Sequence, residues 1–405
     1  MTRIKIMKQN LAGLLIAVLA VASLLSGCKG GAVPRPAADV VSERAHIKSS
    51  ATTSTPPPRM AIGTQQGGTR QGVNLSLKNI VSTFAGKAGM AGAADGASVR
   101  ARFDAPKGIT TDGNNLYIVD FNNHTIRKID IASGLVTTVA GMAGKKGSSD
   151  GKGAAARFNR PCGITTDGSN LYVSDSNNHS VRKIVIESGV VTTLAGGVGE
   201  VGYVDGKGNQ ARFFIPEGIT TDGTNLYVAD THNHSVRKIE LENAIVTTLA
   251  GLSGAPGYFD DAGAKARFSY PKGITTDGRN LYVADFGNHR IRKIALASAT
   301  VSTLAGTVKE DEAATDQGEL AHFNYPTGIA TDGRNLYVAD TFNRTVRKIV
   351  IAGGAVSTIA GKADVEGAVD AVGSEARFKD PVGITSDGSC LYVTDSSSNT
   401  VRKIR

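Results

Sequence analysis

The chain has 405 residues, 40% hydrophobic and 20% charged, with 49 Gly, no Trp and 5% aromatics, and a formal net charge of +9. A balance so rich in Gly and poor in aromatics suits many short strands joined by tight turns and argues against thick helical packing. Three of the cations, Arg3, Lys5 and Lys8, fall in a leader. Setting them aside leaves about +6, an excess that favours anionic partners without identifying one.

The leader is the first predicted element, over residues 1–27. Its basic start runs into LAGLLIAVLAVASLL and then SGC. An apolar run this short, ending in small residues, reads as an export signal and not as a spanning helix. Leu25-Ser26-Gly27-Cys28 resembles the lipobox of bacterial lipoproteins. That resemblance implies that Cys28 becomes the first mature residue and carries lipid on its sulfur and its new amino terminus, a stable anchor. Lys29 stands where an Asp retains some lipoproteins at the inner membrane. An outer-membrane lipoprotein facing the periplasm or the cell surface is therefore expected. Residues 28–78 continue as a disordered tether, holding Pro34, Pro36 and Pro56–Pro58 among Ser, Thr and Gly. Such a stretch buries too little apolar surface to offset its ordering entropy. Cys162 and Cys390 remain, far apart in the chain. An exported compartment permits a disulfide, but both are expected to be free.

From residue 79 the chain repeats every 55 residues. The Pro of P-x-G-I falls at 106, 161, 216, 271, 326 and 381, and the Tyr of LY at 117, 172, 227, 282, 337 and 392. One unit reads as four short strands: GITT, a DG turn, NLYVAD, a polar turn ending in NNH, SVRKI, and finally VTTLAG. β-branched residues fill the runs, and Gly, Asn and Asp fill the gaps. Four antiparallel strands taken six times predict an all-β, six-bladed propeller over residues 79–405. The last unit stops at TVRKIR without its VTTLAG strand, while NIVSTFAG at residues 79–86 precedes the first unit. The N-terminal strand is therefore expected to complete the last blade and close the circle, leaving no open edge.

The pattern P-x-G-I-x-x-D-G-x-x-L-Y-V-A-D-x-x-N-H-x-(V/I)-R-K-I resembles the NHL repeat in all six units, each lengthened by an insert such as GGVGEVGYVDGKGNQARF. The resemblance implies a propeller. The family spans bacterial surface and periplasmic proteins, animal RNA-binding proteins and a few lyases, so it constrains fold more than function.

Repeated polar residues point to architecture. His124, His179, His234 and His289 share one turn position, filled by Arg344 and Asn399 in the last two units. A local hydrogen bond is expected there, because equivalent positions on separate blades are too dispersed to share a metal. The Asp at 120, 175, 230, 285, 340 and 395 is read as an Asx-type partner of the turn backbone. The Arg-Lys pair that begins at Arg127 is read as lying along a strand, stems packed and charges wet. The inserts, expected on the face of the NNH turns, repeat a DG at Asp95, Asp150, Asp205, Asp260 and Asp370, while the fifth unit departs with EDEAATDQGE. They also repeat Arg102, Arg157, Arg212, Arg267 and Arg377, with His322 in the fifth unit. Two readings stand for these arginines: a ring of cations that attracts anionic polymer or carboxylates, or pairing with an Asp of the same or an adjacent blade.

One ring position differs in every blade. Between the Pro and Gly of P-x-G-I stand Lys107, Cys162, Glu217, Lys272, Thr327 and Val382. Unlike residues on near-identical scaffolds describe a specific pocket at the channel mouth, or else a neutral, solvated ring. Lys107, Glu217 and Lys272 lead the candidate ligand contacts, followed by Cys162 and Thr327. No nucleophile elbow, metal-binding doublet, EF-hand spacing or nonapeptide calcium repeat occurs. No catalytic residue, metal or cofactor is therefore assigned. The expected function is a lipid-anchored envelope module that binds or scaffolds a protein, peptide or glycan. The alternative is a periplasmic metal-dependent lyase or hydrolase working at the central channel. Export argues against nucleic acid, and the oligomeric state stays open.

Overall fold

A computed structural model describes residues 75–306 and 321–405 of the chain. The leader, Cys28, the tether up to residue 74 and the acidic insert of the fifth unit lie outside the described residues. The first strand is β1 (Ile80–Gly86). The first full unit then contributes β2 (Gly96–Ala97), β3 (Pro106–Thr111), β4 (Asn115–Asp120), β5 (Thr125–Asp130) and β6 (Leu135–Gly141). β3 to β6 form an antiparallel meander, with Leu116 opposite Ile129 and Ile129 opposite Val136. The other units repeat it, and the six sheets are the blades of a six-bladed β-propeller. The β3 equivalents pack on one another round the axis, which makes β3 innermost and β6 outermost.

The apolar pattern explains the stacking. Leu116, Ile118, Ile129 and Val136 of the first blade form one core cluster with Tyr392 and Val401 of the sixth. Each blade is thus covered on both faces, and β4 and its equivalents read as nearly unbroken apolar runs for that reason. The circle closes as the incomplete last unit predicts. β1 pairs with the terminal strand Thr400–Ile404, Val81 opposite Ile404 and Gly86 opposite Thr400. Packing begins ahead of β1: Leu75 is buried against the sixth-blade core, and its N–H donates to Asp332.

Two features go beyond the pattern read from the residues. The inserts are not plain loops. Among the described residues, four of them carry a short segment that adds a fifth, two-residue strand to the outer edge of the following blade, as β2 does on β6. Gly151–Lys152, Gly206–Lys207 and Ala371–Val372 do the same in their blades. The Gly of P-x-G-I has a steric origin. A Cβ on Gly218 would meet the backbone carbonyl of Lys272, and one on Gly383 would meet that of Lys107. The innermost strands pack backbone to backbone around the axis, which only Gly permits.

Candidate functional site

The repeated polar residues are consumed inside and between the blades. Arg127 and its counterparts Arg182, Arg237, Arg292 and Arg402 are fully buried, so the reading of wet charges fails for the arginines. Lys128, the other half of the pair, stays partly exposed. Arg127 Nη1 donates to Asp120 Oδ2 at 2.7 Å, and Nη2 donates to Asp95 Oδ1 at 2.7 Å. The Phe103 ring lies 5.1 Å from the guanidinium. Two blades enclose this strand, leaving the side chain no route to solvent, and only an Arg offers enough donors to satisfy two carboxylates and two carbonyls there.

Asp120 joins the same network. It accepts the Asp104 N–H and the Asn123 side-chain amide as well as Arg127. Burial pushes its carboxyl up to about 6, with Arg127 pulling the other way. The Asx turn expected at Asp120 belongs instead to Asp112. Its Oδ1 accepts the N–H groups of Asn114 and Asn115, and its Oδ2 accepts the Tyr117 hydroxyl at 2.9 Å.

Each insert Asp ties its loop to the outer strand, Asp95 also accepting the Thr138 N–H and hydroxyl. This removes the Asp partner considered for Arg102, Arg157, Arg212, Arg267 and Arg377. Those arginines turn back on the short 3-10 turn preceding each of them. Arg102 Nη1 donates to the carbonyls of Val99, Arg100 and Ala101, and Arg377 Nη1 to those of Ser374 and Ala376. Arg212 additionally pairs with Glu200. None of the five lines the cavity at the channel mouth.

The repeated His bonds to the next blade. His179 sits at a left-handed turn position, φ 55°, and its Nδ1 accepts the N–H of Ile215, which precedes the Pro of the following blade. His124, His234 and His289 do the same for Arg160, Tyr270 and Tyr325, and Asn399 Oδ1 serves Ala105. His234→Ala is expected to cost about 1–3 kcal/mol by orphaning that donor. His234→Asn keeps the acceptor and suits the left-handed backbone, so calorimetry should find it closer to wild type. Burial lowers the pKa of His124, His179 and His234 below the ordinary 6.5. The folded state resists protonation, so their contribution is complete above 6.5 and falls away as pH drops below it.

The residues that differ between blades converge. Lys107, Cys162, Glu217, Lys272, Thr327 and Val382 all line one cavity of about 370 Å³ at the mouth of the channel, on the face of the turns. Lys272 Nζ lies 3.6 Å from Glu217 Oε2 and 3.9 Å from the centroid of the Phe286 ring. Lys107 Nζ lies 3.6 Å from the centroid of Phe121 and 3.8 Å from Cys162 Sγ. Burial pulls the Lys107 pKa down, but Cys162, Glu217 and Asp380 together hold it above its ordinary value. Burial pushes the Cys162 thiol up, which keeps it protonated and poorly nucleophilic. Cys162 and Cys390 are both free and buried.

Asp380, Phe286, Thr341 and Phe342 complete the lining and went unread in the sequence. For Asp380, Phe286 and Thr341 the signal was present at two further positions where the blades differ, and Phe342 stands one residue beyond the second of them. The residue before the Pro is Ala105, Arg160, Ile215, Tyr270, Tyr325 and Asp380, and the residue after the strand Asp is Phe121, Ser176, Thr231, Phe286, Thr341 and Ser396. Tyr325 bridges the rim, its ring 4.7 Å from Phe286 and 4.9 Å from Phe342.

The NHL repeat model matches residues 268–294, about half of one unit, from its insert Phe through the two inner strands and the turn into the third strand. NHL repeat-containing protein 2 of Gallus gallus is 30% identical over 310 residues, covering 67% of this chain and 42% of that protein. The chain is an NHL-repeat β-propeller. This propeller spans about two fifths of the length of the NHL repeat-containing relatives it matches. Protein SUPPRESSOR OF QUENCHING 1, chloroplastic, of Arabidopsis thaliana is 30% identical over 297 residues, 68% of this chain and 28% of that one. Among solved structures, a protein of unknown function from Bacteroides thetaiotaomicron superposes with a TM-score of 0.62 at 23% identity, covering 80% of this chain and 75% of that chain. An auxiliary nutrient binding protein from the same organism gives 0.60 at 19% identity, covering 80% and 76%. At such identities the solved structures establish the NHL propeller's fold and nothing of its chemistry.

Proposed function

We propose that this propeller is a binding module of the bacterial cell envelope, anchored through lipidated Cys28 and presenting a ligand site at the mouth of its channel. One observation carries the reading. Residues repeated round the circle are used up in buried networks and inter-blade bonds, while those that break the repeat gather around a single cavity. A rigid disc with one asymmetric, aromatic-rimmed mouth suits recognition of a small ligand, a peptide or a glycan. The lipobox resemblance of Leu25–Cys28 and the tether behind it support membrane attachment. A tether lets the disc search at high local concentration near the surface. The structural resemblance to a protein described as nutrient binding agrees with a binding role.

The test is affinity capture from intact cells with the purified full chain, compared with Lys107→Glu/Lys272→Glu. The expected result is one envelope component bound by wild type and lost with the double variant, while both chains still melt cooperatively. Equal recovery by both would move recognition away from the mouth and defeat the proposal.

A further inference from the structure

The charges at the mouth do not all neutralise one another. Glu217 and Lys272 form an ion pair. Lys107 and Asp380 are left over. Lys107 has an aromatic ring and a thiol within contact, and among the described residues no carboxylate within ion-pair distance. Asp380 accepts one side-chain hydrogen bond, from Ser397 Oγ at 3.2 Å, and among the described residues has no cation within that distance. Both line the same cavity, near enough to feel each other's charge yet too far apart to pair.

The acid is there because the repeat is broken twice. Wherever the turn carries His or Asn, the residue before the Pro takes a left-handed φ near 50° and donates its N–H to that turn. In the fifth blade the turn residue is Arg344, which offers no acceptor, and the residue 36 positions on is Asp380. Asp380 does not take the left-handed conformation, and its N–H turns to Asp395 Oδ1 at 2.8 Å. The substitution that loses one inter-blade bond thus coincides with the one that supplies a carboxylate to the mouth.

Resting on the reading of this mouth as a ligand site, we propose that it binds a small zwitterion of the α-amino acid or dipeptide class. The ligand carboxylate meets the Lys107 ammonium, the ligand ammonium meets Asp380, and an apolar side chain lies against Phe286 and Phe342. A partly buried ammonium and a partly buried carboxylate held apart each lose some hydration without gaining a partner, and are complementary to a ligand bearing the opposite pair. A cavity of about 370 Å³ sits at the small end of ligand pockets, which excludes long polymers from full burial.

Calorimetric titration of the purified full chain decides this with four probes: phenylalanine, N-acetylphenylalanine, phenylalaninamide and maltose. Phenylalanine is expected to bind, with each blocked form weaker by about tenfold or more. Lys107→Met should erase most of the penalty for amidation, and Asp380→Asn most of that for acetylation, as coupled pairs do in a double-mutant cycle. Melting curves establish that both variants are folded. Equal affinity for free and blocked forms overturns the zwitterion. So does binding of maltose alone, lost on Phe342→Ala, although the mouth then stands as the site. If no probe binds, the zwitterion is wrong, and the capture experiment with the charge-reversed chain decides whether the mouth reading falls with it.

Discussion

A chain lacking Ile80–Gly86 is expected to lose the closed propeller altogether, not merely one strand. β1 supplies the outer strand of the sixth blade, pairing with Thr400–Ile404 on one side and Ala371–Val372 on the other. It buries Val81 and Ala85 and holds Asp370 through the N–H and hydroxyl of Thr83. Asp370 in turn pairs with buried Arg402. Five or so ladder bonds at about 1 kcal/mol each, with about 2 kcal/mol for Val81, approach the whole stability of a typical domain. The freed edge of Thr400–Ile404 also becomes a template for intermolecular pairing. Size-exclusion chromatography should find aggregates, and calorimetry should find no cooperative melting. The strand itself, not its place in the chain, is what matters. Moving residues 75–86 behind Arg405 through a tight turn, the connection every other blade uses, should restore a folded monomeric species. A deletion chain that melts like wild type would show that the circle holds without its clasp.

The second large effect is expected at the buried ion networks. Asp230→Ala should destabilise the protein by about 3–5 kcal/mol, because it leaves the fully buried guanidinium of Arg237 facing a void. Asp205→Ala, at the half-exposed end of the same arginine, should cost less, since water can replace that partner. Replacing both members, as in Asp230→Leu/Arg237→Met, should recover part of the loss, because no unpaired charge remains buried. Urea titration of the four chains measures this order. If Asp205→Ala were the more damaging, the buried carboxylate would not be the anchor assigned to it.

The reading of the residues misjudged this network for a definable reason. Solvation of an Arg on a strand depends on what stands opposite, and alternation along β5 does not reveal that both faces are covered. Asp95 and Arg127 lie 32 residues apart in sequence. The repeat displays both without indicating that they meet. Attention to the Arg of A-R-F likewise passed over the buried Phe beside it, on which the strand arginine rests.

Some conclusions needed nothing but the chain. A strict 55-residue period, β-branched runs and turn residues at set places determined six antiparallel sheets, and the missing last strand with its orphan at residues 79–86 determined how they close. Local backbone preference and side-chain alternation act within a few residues, so they survive in a linear string. Only the folded ring decided which charges are satisfied and which are left facing the cavity. Asp380 lines the cavity in the blade where Arg344 cannot accept its N–H, and Glu217 pairs with Lys272 while Lys107 has, among the described residues, no carboxylate at ion-pair distance. Electrostatic partnership is settled by distance in space, and blades brought together round an axis set those distances.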